Sequence, residues 1–203
     1  MKGLLIKDIC VLSKQMKAFL VLTLVFAVVQ QTFTQGFGLM YFSLLPVTSL
    51  AYDEQVRWNS YAAMMPYRTK DMVLSKYALG VGGCFCVFLI EIAAAAVYGM
   101  VTDQSTELLM QKVQMILIFF CVAIIMMSIN LPMVLRLGVE KGRYLWIFIM
   151  VSIGVFVVGS VENLPKLWQL NPAFYPLAAG VAAAVSLIVS IGIALEVYRS
   201  KYC

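Results

Sequence analysis

Four long apolar runs decide what this chain can become: residues 73–101, 113–135, 144–161 and 174–197. A helix crosses a bilayer with roughly 20 apolar residues, within a range of about 17–25. Each run is long enough. A soluble core does not account for them, because 63% of the 203 residues are hydrophobic and 12% are charged. Soluble domains are about half apolar and about a quarter charged. The expected fold class is therefore all-α, a polytopic membrane protein in one transmembrane domain over 1–203.

The region 18–51, "AFLVLTLVFAVVQQTFTQGFGLMYFSLLPVTSLA", is long for one span and tight for two. The polar patch from Gln30 to Gly36 divides it. Charge chooses between the two counts. With two spans, 18–34 and 36–51, the N-terminus, 52–72, 136–143 and the C-terminus share a side. Thirteen of the fifteen Lys and Arg residues then lie on that side, leaving Lys112 and Lys166 on the other. With one span the split is six against nine. Basic residues concentrate in cytoplasmic loops, so the sequence predicts six transmembrane helices with both termini cytoplasmic. The net charge of +5 belongs to this loop pattern, and nucleic acid is not an expected partner.

The start, "MKGLLIKDICVLSKQMK", reads as an amphipathic helix over 1–17 on the bilayer surface. Leu5, Ile9, Leu12 and Met16 fall on one face, with Lys7 and Lys14 opposite, toward lipid phosphates or the cytosol. The alternative is a cytosolic extension of the first span. Between the second and third spans comes "YDEQVRWNSYAAMMPYRTKDMVLSKY", Tyr52 to Tyr77, a charged and aromatic insert in apolar surroundings. Asp53 and Glu54 suit the positive N-terminal end of a helix. Trp58, Tyr61, Ala62 and Met65 recur on one helical face, and Pro66 ends the run. Thr69 suits a cap for the next span, with Asp71 in its first turn. The insert is thus expected to be a short amphipathic helix over 53–65. It either lies on lipid with Trp58 as an anchor or docks a cytosolic partner.

These residues carry a resemblance. The chain resembles the ABC-2 type permeases of bacterial ATP-binding-cassette exporters, in the small six-span branch. The basic start "MKGLLIKDICVLSKQ" and the segment "SLAYDEQVRWNSYAAMMPYRTKDMVLSKY" carry it, together with the short loops. Met65 stands where such permeases usually have Leu before the Pro, and Arg68-Thr69 reverses the common order. The resemblance implies a coupling helix between spans two and three that docks an ATPase subunit, with Asp53, Glu54, Arg57, Trp58, Asn59, Tyr61, Met65 and Arg68 as its contacts. It implies a bacterial plasma membrane, a second permease subunit (identical or related), and an amphipathic or antimicrobial-peptide-like substrate. No GxxxxGK[ST] phosphate loop occurs, so no cofactor is expected in this chain. ATP and Mg would sit on the partner ATPase.

Other chemistry finds little support. Histidine is absent, which removes His metal sites and Ser-His or Cys-His nucleophiles. Cys84 and Cys86 are two apart and cannot pair on a helix. Glu91 is the one carboxylate well inside a span. An ionised side chain at membrane depth is costly and normally faces protein or water. The expected partners are Gln30, Gln31, Thr34 and Gln35, either as a buried polar cluster or as part of a translocation path. A small-residue ridge, Ala178, Ala182, Ser186, Ser190 and Ala194, suits close helix packing. The competing function is a membrane immunity or scaffold protein that binds a toxin or receptor without transport.

Overall fold

No glycine or proline interrupts residues 4–35, and the first helix accordingly does not stop at 17. In the computed structural model, which describes residues 2–29, 36–64, 68–102, 106–142, 144, 147–148 and 174–202, α1 runs unbroken over Lys2–Val29. The expected surface helix and first span are one rod. Its buried side is Leu4, Asp8 and Leu12, while Ile9 is exposed. The face expected to meet lipid is thus rotated from the one that packs.

The expected second span is broken in two. Gly36, in a left-handed conformation at φ 85, starts α2 (Phe37–Phe42). Then α3 (Leu45–Gln55) begins with Pro46 in its first turn. Pro46 has no N–H for the Phe42 carbonyl, so the two pieces cannot fuse into one regular helix. Arg57, also left-handed at φ 52, turns the chain into α4 (Trp58–Ala63). The helix expected over 53–65 is therefore shorter. Asp53 and Glu54 close α3 rather than open α4.

Among the described residues, three helices are long and apolar enough to cross a membrane. These are α5 (Thr69–Val101), α6 (Thr106–Leu137) and α7 (Phe174–Tyr202). They contain the predicted runs 73–101, 113–135 and 174–197. Arg68, extended, holds the capping place expected for Thr69, and Asp71 lies in the first turn of α5 as expected. The run 144–161 falls mostly outside the described residues. Among the described residues there is no strand.

Packing orders these helices around α5, which contacts α1, α2, α3, α6 and α7. One apolar cluster joins Val47 and Leu50 of α3, Tyr77 of α5, Leu131 of α6 and Tyr198 of α7. Another joins Leu12 of α1, Leu39 and Phe42 of α2, Val87 of α5 and Ile116 of α6. The small-residue ridge is used in part: Ser190 and Ala194 are buried, whereas Ala178 and Ala182 are exposed.

Candidate functional site

At one end of the bundle four charged side chains meet in the interior. Lys76 of α5 reaches Asp8 of α1 at 2.8 Å and Asp53 of α3, and it donates to Ser49 Oγ at 2.6 Å. Lys7 reaches Asp53 Oδ1 at 2.6 Å and Asp8 at 3.2 Å. Asp8, Asp53 and Lys76 are 1%, 5% and 7% exposed. Buried charges are tolerable only when opposite charges and hydrogen bonds compensate them. Two lysines and two aspartates balance here. Asp8 Oδ2 has no hydrogen-bond partner among the described residues, and Asp8 lines a small cavity together with Lys7, Asp53, Trp58 and Lys76.

Two further contacts tie neighbouring segments to this cluster. The Lys7 ammonium stands 4.3 Å from the centre of the Trp58 ring, a cation–π distance. The Glu54 carboxylate accepts the Val139 N–H at 2.8 Å, where helical geometry resumes after α6. Gly138 turns left-handed at φ 84, and a Cβ there would lie 3.1 Å from Glu54 Oε1. Glycine therefore serves both the turn and the close approach. Through these contacts α1, α3, α4, α5 and the segment after α6 meet at one end, with Tyr198 of α7 beside them. These are the segments that the charge count placed on a common side.

The expected docking residues thus separate into two groups. Asp53 is turned inward, and Glu54 is engaged by the backbone at Val139. Arg57 and Arg68 are exposed, and Tyr61 is 60% exposed. The proposed stripe on α4 is not one uniform face, because Ala62 is 2% exposed while Tyr61 points out. Met65 lies outside the described residues, as does the side chain of Asn59. Lys7, expected at lipid phosphates, is spent on Asp53 and Trp58 instead.

Glu91 lies farther along α5 from Lys76, about 22 Å at roughly 1.5 Å per helical residue. Its carboxylate is buried and accepts backbone N–H bonds from Gly36 and Leu39, at the start of α2. A Cβ on Gly38 would crowd both Glu91 Oε1 and Thr23, so α1, α2 and α5 converge here. Lys7 meets Asp53 at one end of α1, and Thr23 meets Gly38 farther along it, about 24 Å away. The chain therefore goes out along α1 and returns along α2 and α3. Gln30, Gln31, Thr34 and Gln35 lie outside the described residues.

The sequence carried faint signals of the ionic cluster. Asp8 is the lone acid among Lys2, Lys7, Lys14 and Lys17. Lys76 sits inside an apolar run. Neither shows its partner, because the pairing is set by how α1 and α3 pack on α5. Among the described residues no group of His, Cys, Asp and Glu is arranged to hold a metal ion.

No curated protein and no solved structure matches the chain. A family model does, that of the ABC-2 family transporter protein, over residues 3–199. That match spans nearly the whole sequence, including the ionic cluster, α4 and Glu91, and by it the chain belongs to the ABC-2 family of transporter proteins.

Proposed function

We propose that this chain is the permease subunit of an ATP-binding-cassette exporter that moves an amphipathic or antimicrobial-peptide-like substrate outward. A separate cytosolic ATPase binds ATP and Mg and docks on α4. A second permease subunit, identical or related, completes the pathway in the plasma membrane of a bacterium. Six spans with both termini cytoplasmic fit the distribution of basic residues.

One observation supports docking most directly. A helix that couples an ATPase to a membrane domain must be open on one side and anchored on the other. α4 has both properties. Tyr61 and Arg57 are exposed, while Ala62 is buried and Trp58 is held by Lys7. Tyr and Arg are favoured anchors at interfaces, where they supply large contact area.

The test is co-expression with a candidate ATPase subunit of an ATP-binding-cassette exporter, sought first in the neighbouring reading frames. Tyr61→Ala is expected to reduce the ATPase recovered with the permease while leaving the permease folded. Unchanged recovery would remove α4 as the docking element. In proteoliposomes, an amphipathic cationic peptide is expected to stimulate ATP hydrolysis, and its failure to do so would reject that substrate class. Topology has its own check. A cysteine at Met110, in a cysteine-free background, is expected to react with an impermeant maleimide in intact cells, whereas one at Gln55 is not.

A further inference from the structure

Nothing in α4 itself explains how a push on so short a helix reaches the spans. It has six residues and follows α3 through the left-handed Arg57. Its neighbour by extensive backbone packing is α3 alone among the described helices. Side chains supply the rest. Lys7 of α1 lies over Trp58 of α4 and bonds Asp53 of α3, and Asp53 bonds Lys76 of α5.

We propose that Lys7 is the positioning residue that makes α4 and the inner ends of α1 and α5 move as one body, through its joint hold on the Trp58 ring and the Asp53 carboxylate. The inference rests on the reading of α4 as the ATPase-docking helix for its role in transport, but the rigid link itself does not. Three features single out Lys7 within the cluster. It alone of the four charges contacts α4 among the described interactions. Its side chain is 23% exposed, against 9% or less for the other three. Removing it leaves the Lys76 bridge between Asp8 and Asp53 in place. A substitution at Lys7 therefore cuts the link to α4 while sparing the most buried pairs. An arginine can keep the link, because guanidinium stacks on an aromatic ring and bonds carboxylates.

The experiment measures distances between nitroxide labels on cysteines placed at Ser13 of α1 and Met64 after α4, both exposed, in an otherwise cysteine-free protein in nanodiscs. The protein without its ATPase is expected to give one narrow distance distribution. Lys7→Gln is expected to broaden it, and Lys7→Arg to keep it narrow. If Lys7→Gln fails to fold, Trp58→Leu cuts the same contact from the other side and is expected to broaden it equally. A distribution unchanged in Lys7→Gln, or in Trp58→Leu where that variant is needed, overturns the proposal. With the ATPase bound and trapped by MgATP and vanadate, the wild-type distance is expected to stay as it was, and a changed distance overturns the one-body motion. Failure of the ATPase to bind the wild type instead rejects the docking reading and leaves the label result standing.

Discussion

Lys76 and Tyr77 are neighbours on α5, yet they face two different kinds of interior. Successive residues on a helix point about 100° apart. Lys76 looks toward α1 and α3, and is held by Asp8, Asp53 and Ser49. Tyr77 looks toward α6 and α7, and its hydroxyl meets Ser190, which donates to the Ser128 carbonyl. That carbonyl is free for a reason written in the sequence. Its helical partner would be the N–H of residue 132, which is proline. Because Ser190 spends its hydrogen on Ser128, Tyr77 must be the donor to Ser190. One side of α5 is thus joined by charge and the other by a neutral hydrogen-bond relay. The two differ in what happens when a member is lost. A missing charge leaves its opposites buried and uncompensated, whereas a missing hydroxyl leaves only a polar atom short of one bond.

Lys76→Met is the strongest way to expose that difference. It removes the more buried of the two cations that Asp8 and Asp53 share, and leaves two aspartates to Lys7 alone. Breaking a buried ion pair from one side costs about 3–5 kcal/mol, so the yield of monodisperse protein and the unfolding temperature in detergent are expected to fall sharply. Removing the opposing acids as well is expected to reverse much of the loss. A triple variant with Lys76→Met, Asp8→Leu and Asp53→Leu leaves only the partly exposed Lys7, whose long stem lets its charge reach water. If the triple variant is as unstable as Lys76→Met alone, uncompensated charge is not what makes this face of α5 fragile.

On the other face, Ser190→Ala is expected to cost less, about 1–3 kcal/mol, because it leaves the Ser128 carbonyl and the Tyr77 hydroxyl without partners. Pro132→Ala tests the cause. It restores an N–H opposite Ser128, so Ser190→Ala is expected to cost less in that background than in the wild type. A double-mutant cycle on thermal unfolding measures the difference. Equal costs in both backgrounds would mean that the freed carbonyl is not what Ser190 serves.

The same contrast separates what the sequence tells from what it withholds. Apolar runs and the sidedness of the bases led to α5, α6 and α7 and to the out-and-back path of α1 and α2–α3. These depend on solvent, which acts on every residue locally. The placement of Asp53 and Glu54 depended on a local preference, acids at a helix N-terminus, worth about 0.3–1 kcal/mol at exposed sites. The counter-charges of the partly exposed Lys7 and the buried Lys76 outweigh it, and the helix carrying Asp53 ends there instead. The break between α2 and α3 was marked by Pro46 but hidden by the apolar length of 36–51. Tyr61, expected from the sequence as a docking residue, is exposed, while Lys7 was misread because periodicity reports a face and not the partner. Proline at 132 announces a free carbonyl at Ser128, but the residue that satisfies it comes from α7, far along the chain.

Tyr77→Phe is the smallest of these changes and the most discriminating. Tyr77 is 2% exposed, and its ring fills the space between Val47, Leu131 and Tyr198. Phenylalanine keeps that ring and its packing. Only the hydroxyl goes, and Ser190 still donates to Ser128. What is lost is one hydrogen bond accepted by Ser190, and an unfilled lone pair on a hydroxyl is a mild defect. Hydrogen bonds between membrane helices average about 0.6 kcal/mol, so the unfolding temperature is expected to drop slightly, and less than in Ser190→Ala. The ordering carries the weight. If Tyr77→Phe destabilises as much as Ser190→Ala, the tyrosine hydroxyl bonds something other than Ser190, and the direction of the relay from Tyr77 to Ser190 to Ser128 is wrong.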